Sequence, residues 1–447
     1  MTVPPEDTHD PSTAAYKKAR RQYLKSTRNK DDRIEAQWTP FRAAEKKYKA
    51  KFPPPDLSDV LDLALLDDTR SGECKLGGWS GSADALVFRA VDLEEEKGKK
   101  VYIFPSIPGL VVIPSFISPD DQRTLVRVSL RDQAKHPNET NLDTHYMLPE
   151  EGLWNAYLKA RHDGTSEESI PPRAATSDDQ SHYIVAEPGP RKLISNEAAS
   201  KENYATIAAA PALPYAPSLN AKPMSPTTLV PKLRWANIGW YYHWGSKQYD
   251  FTRGKIEVNH AYRDVCRRAV QAVPWSQVFS QDDLTDWGDE PDWTTWRDSY
   301  GIPSYAIVLR IYDADLDTNS EPDAGIVNFY QARDTLMAHV DRSEVCATSP
   351  LVSISLGCAA VFLMGAMSRD TKPAALLLRS GDIVIMSGPH CRRAYHGVPR
   401  ILENTLPAHF SSVAGDDEWI PYEEYLGTTR VNINVRQVFP KGFDPGL

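Results

Sequence analysis

The feature that most restricts this chain is Arg430-Val431-Asn432-Ile433-Asn434-Val435-Arg436, where polar and apolar residues alternate without a break. Period two belongs to a β-strand, so Arg430, Asn432, Asn434 and Arg436 share one face and the valines and isoleucine share the other. An inward row of two arginines and two asparagines is costly unless it meets a ligand or ion. The stretches before it are also short and rich in strand formers. Ala324 to Tyr330 reads as a buried strand. Leu351 to Leu356 and Ala359 to Met364 read as paired strands around a Gly-Cys turn. Ala374 to Leu378 and Ile383 to Met386 read as a hairpin closed by Ser380-Gly381-Asp382. Many short strands from Gly325 onward, with turn signals and no intervening helices, predict a sandwich or jelly roll.

Helical signals lie upstream. Ser118 is an N-cap with Pro119 at the first helical position, opening a helix to about Ala134. Further helices are expected over Glu150 to Arg161 and Ala261 to Val273, and a short apolar one over Leu57 to Leu66. Gly109 to Pro114 reads as a strand between turns, whereas residues 67–100 carry no pattern. The acidic, Trp-rich stretch Asp282 to Asp298 has no role assigned by its sequence. Residues 162–230 turn to Ser, Pro, Ala and Glu, which predicts a largely disordered insertion. The expected class is α+β: a double-stranded β-helix (jelly-roll) core with flanking helices and an N-terminal helical extension. Its divisions are a basic extension (1–56), a helical and strand region packed on the core (57–161), the insertion (162–230) and the main domain (231–447).

Five cysteines, odd in number and with no Cys-x-x-Cys pair, argue against a disulfide framework or zinc finger and for a reducing compartment. No apolar run approaches the roughly 18 residues of a membrane span. The acidic, Pro-containing first ten residues show neither a secretory signal nor an Arg-rich transit peptide. The expectation is a monomer in an intracellular compartment, nucleus or cytoplasm, with the mitochondrion also open. The net charge of -9 is unevenly spread. Tyr16 to Lys51 holds 13 Lys+Arg against 4 Asp+Glu, a surplus of +9, so the rest carries -18. Asp10-Pro11 signals a helix start, and Tyr16, Arg20, Tyr23 and Leu24 follow at helical spacing. This arm either tracks phosphates or docks as a solvated helix on the acidic body.

Chemistry enters at His339-Val340-Asp341. Side chains two apart on an extended segment point the same way, so His339 and Asp341 can grip one metal ion. Such a pair also occurs by chance, and it needs a third ligand, for which His396 is the candidate. Two histidines and one aspartate on strands of a double-sheet barrel form the facial triad of non-haem Fe(II) oxygenases, which leaves positions for a chelating cosubstrate and O₂. A bidentate organic acid then needs a cationic fork, supplied by Arg430 or Arg436. The aromatic run Leu233 to Trp244 either stacks an unstacked base or fills a half-buried strand.

At these residues the chain resembles the AlkB family of Fe(II)/2-oxoglutarate-dependent dioxygenases, in the branch of the first mammalian AlkB homologue. The matching text is Asn328-Phe329-Tyr330, His339 to Glu344, Ser380-Gly381-Asp382, His396 to Arg400 and Arg430 to Gln437. Similarity extends over Leu233 to Tyr249 and, more faintly, Pro108 to Leu158. The resemblance implies His339, Asp341 and His396 as iron ligands. It implies Asn328, Tyr330, Arg430, Asn432 and Arg436 around 2-oxoglutarate, with Arg430 on the distal carboxylate. Trp235, Tyr241, Tyr242 and Trp244 fall in the nucleotide-lid region. Where the wider family often carries an acidic base-reading residue, this chain has Ser343, with Glu344 next. The implied reaction is oxidative demethylation of a methylated base in tRNA or DNA, such as N-methyladenine, giving succinate, CO₂ and formaldehyde. A target inside a duplex must first be unstacked. Two further classes are weighed against it: a dioxygenase of the same architecture acting on a protein side chain, and a non-catalytic nucleic-acid-binding protein.

Overall fold

The alternating strand finds its second layer in a pair of facing sheets. The structure is a computed structural model that describes residues 13–18, 21, 38–94, 96–163, 168–173, 197–209, 215–285, 287, 291, 293–299 and 323–446. The strands are β1 (Arg89–Asp92), β2 (Lys100–Ile103), β3 (Leu110–Ile113), β4 (Trp235–Gly239), β5 (Tyr242–His243), β6 (Gln248–Tyr249) and β7 (Ala324–Gln331). They continue as β8 (Leu336–His339), β9 (Leu351–Gly357), β10 (Ala360–Met364), β11 (Ala374–Leu378), β12 (Ile383–Met386), β13 (His396–Ile401) and β14 (Thr429–Arg436). The large sheet has the order β1-β2-β3-β12-β9-β14-β7-β4 and the small sheet β11-β10-β13-β8, all antiparallel.

The two expected hairpins do not form. Leu351–Gly357 pairs with β12 and β14 in the large sheet, whereas Ala360–Met364 pairs with β11 and β13 in the small one. The chain switches sheets at Gly357, where φ is +80° and an added Cβ would lie 2.6 Å from Thr429 O. Only glycine fits that corner. Ala374–Leu378 and Ile383–Met386 likewise belong to different sheets, joined through Gly381. Periodicity assigns a face to each residue and no partner to the strand, so consecutive strands were read as neighbours. The β region also contains helices, at Gly388–Arg392 and Ile420–Leu426.

Val431, Ile433 and Val435 face the helices behind the large sheet, together with Val327 and Phe329 of β7. There the helix His260–Ala272 presents Tyr262, Val265, Cys266, Ala269 and Val270. The helix Pro119–Arg127, capped by Ser118 Oγ accepting from Asp121 N at 3.1 Å, continues as a π-helix to Gln133. Residues 89–113 supply three strands of the large sheet. Leu57 to Leu66 is not one helix. A 3₁₀ turn covers Leu63–Leu66, and Leu61 bridges to Leu376 and Ser82. The Trp-rich segment forms helices Gln281–Thr285 and Trp293–Ser299, which bring Trp287, Trp293 and Trp296 against Trp275 and Phe279.

Two stretches read as peripheral are attached to the core. The second half of the basic arm is the helix Pro40–Lys49, whose Phe41, Ala44 and Tyr48 pack on the outer face of the small sheet. Its Glu45 accepts from Ala338 N at 2.6 Å, covering the free edge of β8. Arg20, Tyr23 and Leu24 lie outside the described residues. Within 162–230, residues 162–163, 168–173, 197–209 and 215–230 are placed. Ile170 bridges to Met224, and Tyr204 is buried against Phe251, Phe439 and Phe443. A few aromatic and apolar residues in a polar stretch suffice for docking, which average composition conceals.

Candidate active site

His339 closes β8 and His396 opens β13, and the two are register partners across the small sheet. Cross-strand partners place their side chains side by side, and the two imidazole centroids are 4.3 Å apart. Asp341 follows on the same face, its Oδ1 3.7 Å from His339 Nε2. One ligand atom from each of the three lies within 4.8 Å of the others. Both rings are fixed from behind, with His339 Nδ1 3.1 Å from Met337 O and His396 Nδ1 3.1 Å from Ala394 O. Each Nδ1–H donates to its carbonyl, leaving both Nε2 lone pairs free for a metal. Burial and the nearby His339 push the His396 imidazole down to about 4, so it is neutral at pH 7. Burial alone would raise the Asp341 carboxyl. Arg436, His396 and His339 outweigh it and hold Asp341 well below the usual carboxylate range.

The large sheet faces this triad across a cavity. Register pairs Tyr330 with Arg430 and Asn328 with Asn432, so all four share the inner face and line the cavity with Arg436 and Asn434. Asn432 Nδ2 donates to Ser353 Oγ at 2.9 Å and to Ile354 O at 2.8 Å. Arg430 is only 1% exposed. Its Nη2 donates to Ser355 Oγ at 2.9 Å, while Nε and Nη1 have no hydrogen-bond partner in the protein. Burial depresses this guanidinium to about 10. Tyr330 OH is also buried without a partner, and burial pushes it up to about 12.

The two candidate cationic forks therefore differ. Arg436 Nε lies 2.6 Å from Glu344 Oε1 and 3.0 Å from Tyr249 Oη, so its charge is already matched. Arg430 retains unmatched donors. Glu344 is corrected by the same contacts: it is 1% exposed, accepts from Tyr249 Oη at 3.1 Å, and serves as the counter-ion of Arg436. A base-reading role would require breaking that pair. Ser343 lines the cavity and its Oγ donates to Lys247 O.

Tyr242 and Trp244 line the cavity. Trp235 stands behind them, stacked on Trp244 with centroids 5.0 Å apart. Tyr241 points elsewhere: its Oη donates to Pro137 O at 2.6 Å and the Arg253 guanidinium lies 3.8 Å over its ring. Tyr241 lies in the link between β4 and β5 and is directed to Pro137, away from the cavity that Tyr242 lines. Ser353 and Ser355 were missed as site residues, although the alternation in Leu351 to Leu356 marks both for one face.

A family description matches residues 191–436, more than half of the chain, as "2OG-Fe(II) oxygenase superfamily". The chain belongs to that superfamily. It is therefore a 2-oxoglutarate-dependent dioxygenase, and within the superfamily its similarity is to AlkB homologues. The tRNA demethylase abh1 of Schizosaccharomyces pombe is 28% identical over 90% of this chain and 96% of its own length. The DNA N(6)-methyladenine demethylase ALKBH1A of Arabidopsis thaliana is 27% identical over 91% and 97%. The nucleic acid dioxygenase ALKBH1 of Mus musculus is 27% identical over 90% and 85%.

Proposed function

We propose that this dioxygenase removes a methyl group from a base in nucleic acid, tRNA or DNA, at the cavity between the two sheets. The observation that carries this reading is that Tyr242 and Trp244 share one cavity with the His339, Asp341 and His396 donors. Aromatic rings beside a metal site suit a flat, unstacked base. The three relatives named for nucleic-acid substrates support it across nine tenths of the chain.

Two imidazole nitrogens and one carboxylate on one side of a site are the donors that Fe(II) oxygenases use. Bound Fe(II), with 2-oxoglutarate and O₂, supplies the oxidation that turns an N-methyl group into formaldehyde, with succinate and CO₂ as coproducts. Arg430 takes the distal carboxylate of 2-oxoglutarate through its unmatched Nε and Nη1, and the Tyr330 hydroxyl donates beside it. Arg436, paired with Glu344, is shared with Asp341 and favours its ionised form. Asn328 and Asn432 complete the polar wall, while Leu351, Phe362 and Met386 keep the rest of the cavity apolar and restrict water. The two-sheet topology, with successive strands switching layers at Gly357 and Gly381, supports a jelly-roll reading of the core.

Nucleoside mass spectrometry tests the proposal. Total tRNA and DNA incubated with enzyme, Fe(II) and 2-oxoglutarate should lose one methylated base with matching succinate. Unchanged bases alongside hydroxylation of a protein would overturn it.

A further inference from the structure

Asp341 sits beyond the end of its sheet. β8 stops at His339 and β9 begins at Leu351, so residues 340–350 have no ladder to occupy their backbone groups. A ligand on such a stretch needs its main chain held from elsewhere, because a site must keep its geometry to within about 0.5 Å. Further along, Cys346 N donates to Val438 O at 2.8 Å and Arg392 Nη1 to Ser349 O at 2.6 Å, while at Asp341 itself the main-chain hold comes from one side chain. Arg393 Nη1 donates to Asp341 O at 2.7 Å, and Nη2 donates to Glu344 O at 3.2 Å and Ala199 O at 3.1 Å. Ala199 N in turn donates to Arg342 O at 2.7 Å. Arg393 caps the helix Gly388–Arg392 just before His396. Its fork therefore ties the loop of one ligand, and a segment far away in sequence, to the strand of another. That segment is anchored at its other end by Tyr204, buried among Phe251, Phe439 and Phe443.

We propose that Arg393 is a positioning residue for the metal site. It clasps residues 197–204 and the loop 341–344 onto the strand that carries His396, and so sets the direction in which Asp341 presents its carboxylate. The proposal rests on the triad reading above. A planar fork with several fixed donors suits three carbonyls at different angles, which a lysine ammonium cannot satisfy together. It also gives the 197–209 segment a part in the site, since removing Ala199 removes one wall of the clasp.

The test is direct titration of the full-length metal-free protein with cobalt(II), read by visible absorption and by affinity, on wild type, Arg393→Met, Arg393→Lys, Ala199→Pro and Asp341→Ala. Arg393→Met should bind cobalt about 10- to 100-fold more weakly, with a changed visible spectrum. Arg393→Lys should fall between it and wild type. Ala199→Pro, which deletes the N–H to Arg342, should move the same way. Its effect should be less than additive with Arg393→Met, because both cut one clasp. Wild-type cobalt affinity and spectrum in Arg393→Met, with or without a lower thermal midpoint, would overturn the proposal and leave Arg393 a purely structural residue. Should Arg393→Met fail to fold, wild-type affinity in both Arg393→Lys and Ala199→Pro would overturn it equally. Equal binding by wild type and Asp341→Ala would instead refute the triad itself, and the clasp with it.

Discussion

Arg430 poses a conflict between stability and binding that can be measured. Its guanidinium is buried, with one hydrogen bond to Ser355 and two nitrogens unmatched. Burial lowers it from 12.5 to about 10. A base whose folded value lies below its unfolded one costs stability at every pH beneath both, and that cost is relieved only as pH rises from about 10 to 12.5. At neutral pH the full penalty applies, roughly 3 kcal/mol at about 1.4 kcal/mol per unit. Arg430→Met removes the charge and keeps most of the volume. It forfeits the Ser355 bond, about 1 kcal/mol. The ligand-free variant should therefore be more stable than wild type by roughly 1–2 kcal/mol in urea unfolding. With Mn(II) and 2-oxoglutarate at 100 times Kd, wild type should gain about 2.7 kcal/mol and the variant none, reversing the order. A ligand-free Arg430→Met less stable than wild type would refute the reasoning about an unmatched charge. An undiminished 2-oxoglutarate shift would refute the role of Arg430 as the clamp.

Asp341→Ala should abolish iron-dependent succinate formation while far-UV circular dichroism stays unchanged; persistent turnover would dismiss the triad. Trp244→Ala should raise KM for nucleic acid by about tenfold or more, in line with 1–3 kcal/mol per stacked base, whereas Tyr241→Phe should leave KM untouched because that hydroxyl faces Pro137. Phe41→Ala should cost about 3–5 kcal/mol in urea unfolding, since Phe41 is fully buried between the Pro40–Lys49 helix and the small sheet; a loss under 1 kcal/mol would mean the helix is not docked. Burial raises the Asp323 carboxyl to about 6, opposed by Lys255, Val438 N–H and Trp240. Its folded value thus exceeds the unfolded one, so its contribution is present below about pH 4 and lost as pH rises through 6, roughly 3 kcal/mol in all. The stability gap between wild type and Asp323→Asn should shift against wild type by that amount between pH 3 and 7, and a flat gap would refute it.

The contents of the site were legible where chemistry is written in local pattern. Alternation in 430–436 set Arg430, Asn432, Asn434 and Arg436 on one face, and the structure turns that face to the cavity. His339 and Asp341 were readable as a pair, with His396 as the candidate third ligand, and the resemblance implied the same three. Other assignments failed because they depend on neighbours that periodicity does not name. Glu344, next to Ser343 in the substrate region, has its carboxylate occupied by Arg436 and Tyr249. Tyr241 shares the aromatic run with Tyr242, and only the packing of the link between β4 and β5 turns it to Pro137.

By itself, then, the chain's order of residues determined which faces are apolar, which residue types carry the chemistry, and where helices start. Those follow from side-chain period and capping, which act over a few residues. Only the tertiary structure decided which strands pair, because a corner such as Gly357 sends the chain to whichever sheet offers it open backbone groups. It also decided which of two arginines is left unmatched, since Glu344 is a counter-ion for Arg436 only after the loop 341–344 folds back. The docking of 197–209 has the same origin: a handful of contacts at Ala199 and Tyr204 outweighs a polar composition.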